Sequence, residues 1–185
     1  GYATSGTKAV GGEVVVKAGR GGSYTGGSFS LSSGVGTGTS SGAIIVKTVN
    51  AGTKGASGKL SFTSGTTSSG ASGSIELYTG DATNGEGGDI LLSVGKSLTH
   101  VGGDVRGVGG DSTPLTGGAI SFGSGEGTQT SSGAMVLSTV NSGTAGVSGM
   151  LSFTSGTTSG GSSGLMTVSS GVATNGKGGD VILSV

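Results

Sequence analysis

Residues whose types and spacing could support catalysis are few in this chain. The pattern Gly-x-Ser-x-Gly, which marks the nucleophile elbow of serine hydrolases, occurs at 38–42 and at 160–164. An elbow needs a turn from a strand into a helix and a histidine as general base. The sequence has no helical periodicity and a single histidine, His100. Both matches are expected by chance in a chain so rich in glycine and serine, so we predict no catalytic triad.

Motifs for phosphate and calcium binding are also incomplete. The stretch 95–97, Gly-Lys-Ser, resembles the end of a phosphate-binding loop, but Ile90 stands where its first glycine belongs and no helix pattern follows. Asp89, Asp104 and Asp180 each follow two glycines, as in calcium-binding nonapeptide repeats. Those repeats need a period of nine with an aspartate in every turn, and this period is fifteen. We therefore predict no metal, no cofactor and no enzyme activity.

The composition further narrows the class of protein to which this chain can belong. The 185 residues include 46 glycines, one proline and no cysteine, and nine basic residues balance nine acidic ones. Such a balance offers no basic face for nucleic acid, and the chain has too few aromatic residues for base stacking. No apolar run is long enough to cross a bilayer. The sequence thus predicts that the chain does not bind nucleic acid and does not insert into a membrane.

A short repeat organises the whole chain. One glycine, here called the leading glycine, precedes each predicted strand at intervals of 15 residues, except for intervals of 16 after Gly42 and Gly133. The leading glycines are Gly12, Gly27, Gly42, Gly58, Gly73, Gly88, Gly103, Gly118, Gly133, Gly149, Gly164 and Gly179. A fixed period this short is typical of a solenoid with one turn of chain per repeat.

Apolar residues recur in phase with these glycines. Four positions after each leading glycine lies the main column, predicted to form the core: Val16, Leu31, Val46, Phe62, Leu77, Leu92, Phe122, Leu137, Phe153, Val168 and Leu183. A second apolar column lies two positions earlier, from Val14 to Val181, and a mostly small residue lies two positions after the main column. A period of two places these residues on one face of a strand.

Hydroxyl residues form another column on the other half of each repeat. A candidate threonine ladder consists of Thr37, Thr53, Thr83, Thr113, Thr128, Thr144 and Thr174. A glycine commonly follows two residues later, and Asn84-Gly85 and Asn175-Gly176 suit turns with positive φ. The ladder is interpreted as hydroxyls bonded along the stack. Ice binding by exposed threonines is the alternative.

A longer repeat contains the short one. Residues 26–94 align without gaps with 117–185 at an offset of 91, and 43 of the 69 positions are identical. Both 16-residue repeats fall at the same place in the two halves. We therefore predict one domain over 1–185 with an internal duplication into six-repeat blocks, 11–101 and 102–185. The repeat at 102–116 is atypical, because Gly107 occupies its main core position.

These patterns predict an all-β fold. The expected architecture is a single parallel β-solenoid, or β-helix, of about twelve coils of 15–16 residues, with a flattened thin core and no helices. Residues 1–10 would form the second half of a coil and 178–185 the first half of another. Neither end carries a polar cap, so the ends are expected either to pair between subunits or to continue in a longer chain.

The repeated texture Ser-Gly-x-apolar-x-apolar-x-Thr-Gly resembles the Gly/Ser/Thr-rich β-solenoid repeats of extracellular fibres and adhesins. The resemblance covers the whole chain and implies a structural protein at the cell surface or outside the cell. The predicted function is a fibre segment or subunit that stacks head to tail on copies of itself, with open ends. The alternatives are an ice-binding solenoid and a passive adhesin stalk. Surface hydroxyls are candidate attachment points for O-linked glycans, and no Asn-x-Ser/Thr sequon occurs.

Overall fold

The computed structural model describes residues 11–185. Within that range the chain contains no helix and no strand, and none of the described residues is buried. Only Gly21, Gly36, Gly109 and Gly127 are half-buried. The accessible surface is 18520 Å², whereas a folded globular protein of this mass would expose ~7,800 Å². The single chain therefore leaves most of its surface in contact with solvent.

The predicted parallel β-solenoid is wrong. A solenoid requires each segment to hydrogen-bond to the segment one period away, and contacts between residues twelve or more positions apart are few. The backbone bonds across the described residues instead join positions eight apart, as in Gly27 to Gly19. A bond of that span closes a local loop and cannot build a ladder between coils.

The thin hydrophobic core is likewise absent from residues 11–185. Every member of the main column, from Val16 to Leu183, is exposed, and so is every member of the second column. A trace of the predicted alternation persists, because Ile45 is 78% exposed while its neighbours Ile44 and Val46 are 50% and 54% exposed. Two large side chains per repeat, separated by many glycines, bury too little apolar surface to offset the entropy of ordering the backbone.

The period itself is present in the structure as a series of bends. Between residues 11 and 185 the chain bends at eleven places, spaced 15 residues apart except for two intervals of 16. The bends lie at 22–24, 37–39, 53–55, 68–70, 83–85, 98–100, 113–115, 128–130, 144–146, 159–161 and 174–176. The sequence repeat therefore corresponds to a repeated loop.

Contacts along the chain group it into two units that meet between Leu92 and Ser93. The predicted boundary between six-repeat blocks lies at 101/102, and the block division stays a prediction from the sequence. The predicted half-coil at 1–10 lies outside the described residues. Among residues 11–185 we find no helix with the length and apolar character that a bilayer crossing requires.

Candidate functional site

The repeated feature that this chain offers for function is a loop, here called the repeat loop. The small residue two positions after the main column is here called the small position. The repeat loop begins at the residue after the small position of one repeat and ends at the leading glycine of the next, as in 34–42. Each loop contains one bend, and the two ends of the loop form its mouth. The apolar columns lie on the segments that connect successive loops.

The small position and the next leading glycine meet at the mouth. A Cβ placed on Gly42 would lie 3.5 Å from Cβ of Ser33, and one placed on Gly58 would lie 3.5 Å from Cγ2 of Thr48. Equivalent distances of 3.4–3.8 Å occur at Gly27, Gly73, Gly88, Gly133, Gly149, Gly164 and Gly179. These are van der Waals contact distances. The small column, expected to line a core, thus lines the mouths of the loops.

Four mouths are also closed by a backbone hydrogen bond. Gly27 N donates to Gly19 O at 2.8 Å, and Gly42 N donates to Gly34 O at 3.0 Å. The other two bonds, Gly118 N to Gly110 O at 2.8 Å and Gly133 N to Gly125 O at 3.0 Å, lie 91 residues further on. The local geometry therefore recurs at the offset found in the sequence.

Side-chain hydroxyls also stabilise several of the bends. Thr67 Oγ1 accepts a hydrogen bond from Ser69 N and donates one to Ser69 O. Ser97 Oγ accepts from His100 N at 3.0 Å, and Ser112 Oγ accepts from Leu115 N at 3.2 Å. Such short-range bonds from Ser and Thr to the backbone favour turns over regular secondary structure. They explain part of the hydroxyl content of the loops.

The seven candidate ladder threonines share one position. Each is the first residue of a bend, and each is exposed: Thr37, Thr53, Thr83, Thr113, Thr128, Thr144 and Thr174. The positive φ predicted at Gly85 and Gly176 is wrong; among the described residues positive φ occurs at Gly55 and Gly70 instead. The ladder itself stays a prediction.

Two clefts lie between neighbouring segments. Phe122 and residues 135–137 line an apolar cleft of about 260 Å³, and residues 152–155 with 165–166 line a mixed polar and apolar cleft of about 400 Å³. In each cleft a phenylalanine of the main column, Phe122 or Phe153, lies beside apolar residues of the next segment.

Polar side chains elsewhere form only small local groups. Arg106 pairs with Asp104 at 3.1 Å, and Lys177 lies 3.9 Å from Asp180, all four being exposed. His100 Nδ1 lies 2.8 Å from Thr99 Oγ1. No cluster of three potential metal ligands occurs in residues 11–185. Exposed pairs of this kind contribute little to stability or to binding.

Sequence reasoning missed the mouth contact. The signal was available in the constant spacing of nine residues between each small position and the next leading glycine, ten in the two long repeats. Apolar residues alternate within each segment, which suggested strands that pair with the equivalent strand one repeat away. That interpretation concealed the pairing over the shorter range within each loop.

Comparison with protein-family models, with curated proteins and with solved structures found no match.

Proposed function

We propose that this chain is a structural segment of an extracellular fibre in which copies of the chain associate with one another. One observation carries the proposal: apolar side chains recur at a fixed interval through the described residues, and all of them are exposed. Water-exposed apolar surface on this scale favours association with another apolar surface. Another copy supplies such a surface with the same period.

The charge balance supports self-association. The formal net charge at pH 7 is zero, so no long-range repulsion between copies opposes their approach. The same balance gives no attraction for strongly charged partners. The chemistry that remains is apolar contact, supplemented by hydrogen bonds from serine, threonine and backbone groups.

Sedimentation velocity over a range of concentrations, together with negative-stain microscopy, tests the proposal. We expect elongated assemblies whose size increases with concentration. The test variant combines Phe62→Ser and Phe153→Ser, which remove exposed aromatic side chains from equivalent positions. Burying one Phe contributes ~1.5–3 kcal/mol, so the concentration needed for assembly should rise at least about tenfold.

The matched control is Thr63→Ser with Thr154→Ser, which removes only two methyl groups from the neighbouring exposed positions. This control should assemble like the intact chain. Particles that stay monomeric up to millimolar concentration would exclude a fibre segment. Equal effects of the two double variants would show that the apolar columns do not drive assembly.

Ice binding is the second candidate, and the exposed threonines favour it. All seven ladder threonines are the first residues of bends at intervals set by the repeat, and all seven are exposed. Thermal hysteresis measured on the intact chain tests this function. A freezing-point gap that Thr37→Val and Thr128→Val reduce together would support it, and no gap at millimolar protein would remove it.

A further inference from the structure

We propose that a second copy docks on this chain with a stagger of 91 residues, and that the two 16-residue repeats select this stagger. The inference rests on the proposed self-association and specifies its partner and its register. It assigns a role to 42–57 and 133–148, which differ from every other repeat by one additional residue.

The two halves of the chain expose equivalent apolar residues to a similar degree at several positions. Leu60 and its equivalent Leu151 are 49% and 47% exposed, and Ile90 and Val181 are both 49% exposed. Backbone geometry also repeats: the mouths at Gly42 and Gly133 close over the same distance, 3.0 Å. A partner that fits 26–94 therefore also fits 117–185.

The additional residue lies at a definite place in each long repeat. It falls between Thr48 and Thr53 in the first half and between Thr139 and Thr144 in the second, where the interval between bends lengthens to 16. Asn50 and Asn141 occupy the same place in these two stretches.

Two parallel copies keep their apolar residues matched throughout only where a long repeat meets a long repeat. Any other offset that overlaps four or more repeats sets a repeat of 16 against one of 15, and the residues are shifted by one until the long repeat of the other copy restores the register. Because apolar and polar residues alternate, as in Leu60-Ser61-Phe62, a shift of one places a serine opposite an apolar residue. Among offsets that overlap four or more repeats, those of 0 and 91 avoid this mismatch entirely.

Charge favours the offset of 91 over that of 0. In register, every charged side chain faces its own copy, which is repulsive. At an offset of 91, Lys47, Lys54 and Lys59 face Ser138, Ala145 and Met150. Glu76 and Asp81 likewise face uncharged residues. This offset removes these five like-charge contacts and also that of Lys17, which faces Val108.

The same offset also creates contacts between opposite charges. Glu86 faces Lys177, and Arg20 faces Asp111. The like pairs that persist are Glu13 with Asp104 and Asp89 with Asp180. A stagger of one block leaves the second block of each partner free for the next copy, so the assembly stays open and grows into a filament.

Disulfide trapping tests the register, because the chain contains no cysteine of its own. Full-length chains carrying Ser61→Cys or Ser152→Cys, at exposed positions 91 residues apart, are assembled together and then oxidised. Random pairing gives about twofold more heterodisulfide than either homodisulfide. We expect the heterodisulfide to exceed that ratio clearly.

The matched control pairs Ser61→Cys with Ser121→Cys, which occupies the same place in its repeat but at an offset of 60. It should give no excess of heterodisulfide. An excess in this control, or homodisulfides as the main product of the Ser61/Ser152 pair, would overturn the stagger while leaving self-association in place. An intact chain that never assembles would instead contradict the proposed function.

Deletion of the additional residue provides the second test. Removing Asn50 alone should reduce the excess of heterodisulfide between positions 61 and 152, since 26–49 no longer match 117–140 while 51–94 still match 142–185. Removing both Asn50 and Asn141 should restore the excess and also permit the pairing of 61 with 121, because all repeats are then of equal length. An excess that removal of Asn50 alone leaves unchanged would contradict the role of the long repeats.

Discussion

Repeat loops of two kinds occur in this chain, and the third residue of the bend distinguishes them. The loops 34–42 and 65–73 both begin and end with glycine and both have serine at the mouth. The first is closed by a backbone hydrogen bond, and the second has none across its mouth. Its bend ends at Gly70, which adopts a φ of 102°, whereas the bend of 34–42 ends at Thr39.

The same difference extends across the described loops. The four closed loops end their bends with residues that have a side chain: Tyr24, Thr39, Leu115 and Thr130. Loops that end their bends with glycine lack the backbone bond, and these glycines are Gly55, Gly70, Gly85, Gly146, Gly161 and Gly176. Positive φ alone does not account for the missing bond, because among these six glycines it occurs only at Gly55 and Gly70. The open loops share a glycine at the third position of the bend, where the backbone is less restricted than at a residue with a side chain.

One loop departs from this rule and shows a second requirement. The loop 95–103 ends its bend with His100 and yet lacks the bond within the described structure. At its mouth stands Val94, and a Cβ on Gly103 would lie only 2.8 Å from Val94 Cγ1. The closed loops have alanine, serine or glycine at that position. Closure therefore needs both a side chain in the bend and a small residue at the mouth.

Gly36→Ala should have the largest effect on a closed loop. A Cβ at Gly36 would collide with the carbonyl oxygen of Ser40 and lie 2.8 Å from its carbonyl carbon. Backbone cannot yield as a flexible side chain can, so we expect the bond from Gly42 N to Gly34 O to be lost, at ~1–3 kcal/mol. Amide hydrogen exchange at Gly42 measures the loss, which corresponds to roughly ten- to hundredfold faster exchange.

The control for this variant is Gly38→Ala in the same bend, where an added Cβ meets nothing within 4 Å. Exchange at Gly42 should be unchanged there. Similar acceleration in both variants would indicate that bend flexibility, and not the contact with Ser40, determines closure.

Gly70→Thr should convert an open loop into a closed one. A φ of 102° disfavours a residue with a side chain by ~1–2 kcal/mol, so the bend must re-form at negative φ, as at Thr39. Ser64 provides the small residue at the mouth. We expect the Gly73 amide to become protected by bonding to Gly65 O, with Ser69→Thr as the control that leaves it exposed.

The sequence predicted the period of the repeat, but it did not predict which segments of the chain lie beside each other. The interval between leading glycines, including the longer steps after Gly42 and Gly133, corresponds to the interval between bends. The prediction of parallel pairing between coils was wrong. Alternation such as Leu60-Ser61-Phe62 specifies which residues share one side of a segment, but it does not specify which segment lies beside them. Pairing over eight residues depends on the third residue of the bend, as at Thr39 and Gly70, and on the residue at the mouth, and the period alone encodes neither.

The candidate site was predictable to a similar degree. The threonine column from Thr37 to Thr174 was identified as a set, and the sequence did not indicate that these residues open the bends. The hydroxyls that do bond within the bends lie one residue earlier, at Thr67, Ser97 and Ser112. Spacing alone could not show which of two adjacent hydroxyl residues forms the hydrogen bond, because both have the same chemistry.

Val94→Ser should close the exceptional loop. The substitution removes the methyl group that crowds Gly103, while His100 already restricts the bend. We expect a new bond from Gly103 N to Gly95 O, which contributes ~0.5–1.5 kcal/mol and slows amide exchange at Gly103. The control is Ser93→Ala, one residue away from the mouth. No protection after Val94→Ser would show that the mouth residue is not the second requirement.

The smallest effect should come from the hydroxyls of the open loops. Thr67→Val keeps the shape of the side chain but removes both bonds to Ser69, at 2.9 and 3.3 Å. Solvent competes for these exposed groups, so we expect a loss of ~0.5 kcal/mol and roughly twofold faster exchange at the Ser69 amide. Thr158→Val should change exchange at Gly160 even less, because that bond is single and 3.4 Å long. The effect of Thr67→Val on amide exchange could instead equal that of Gly36→Ala. Hydroxyl bonds would then stabilise the open loops as strongly as backbone bonds stabilise the closed loops. The two kinds of loop would then differ only in the group that supplies the bond.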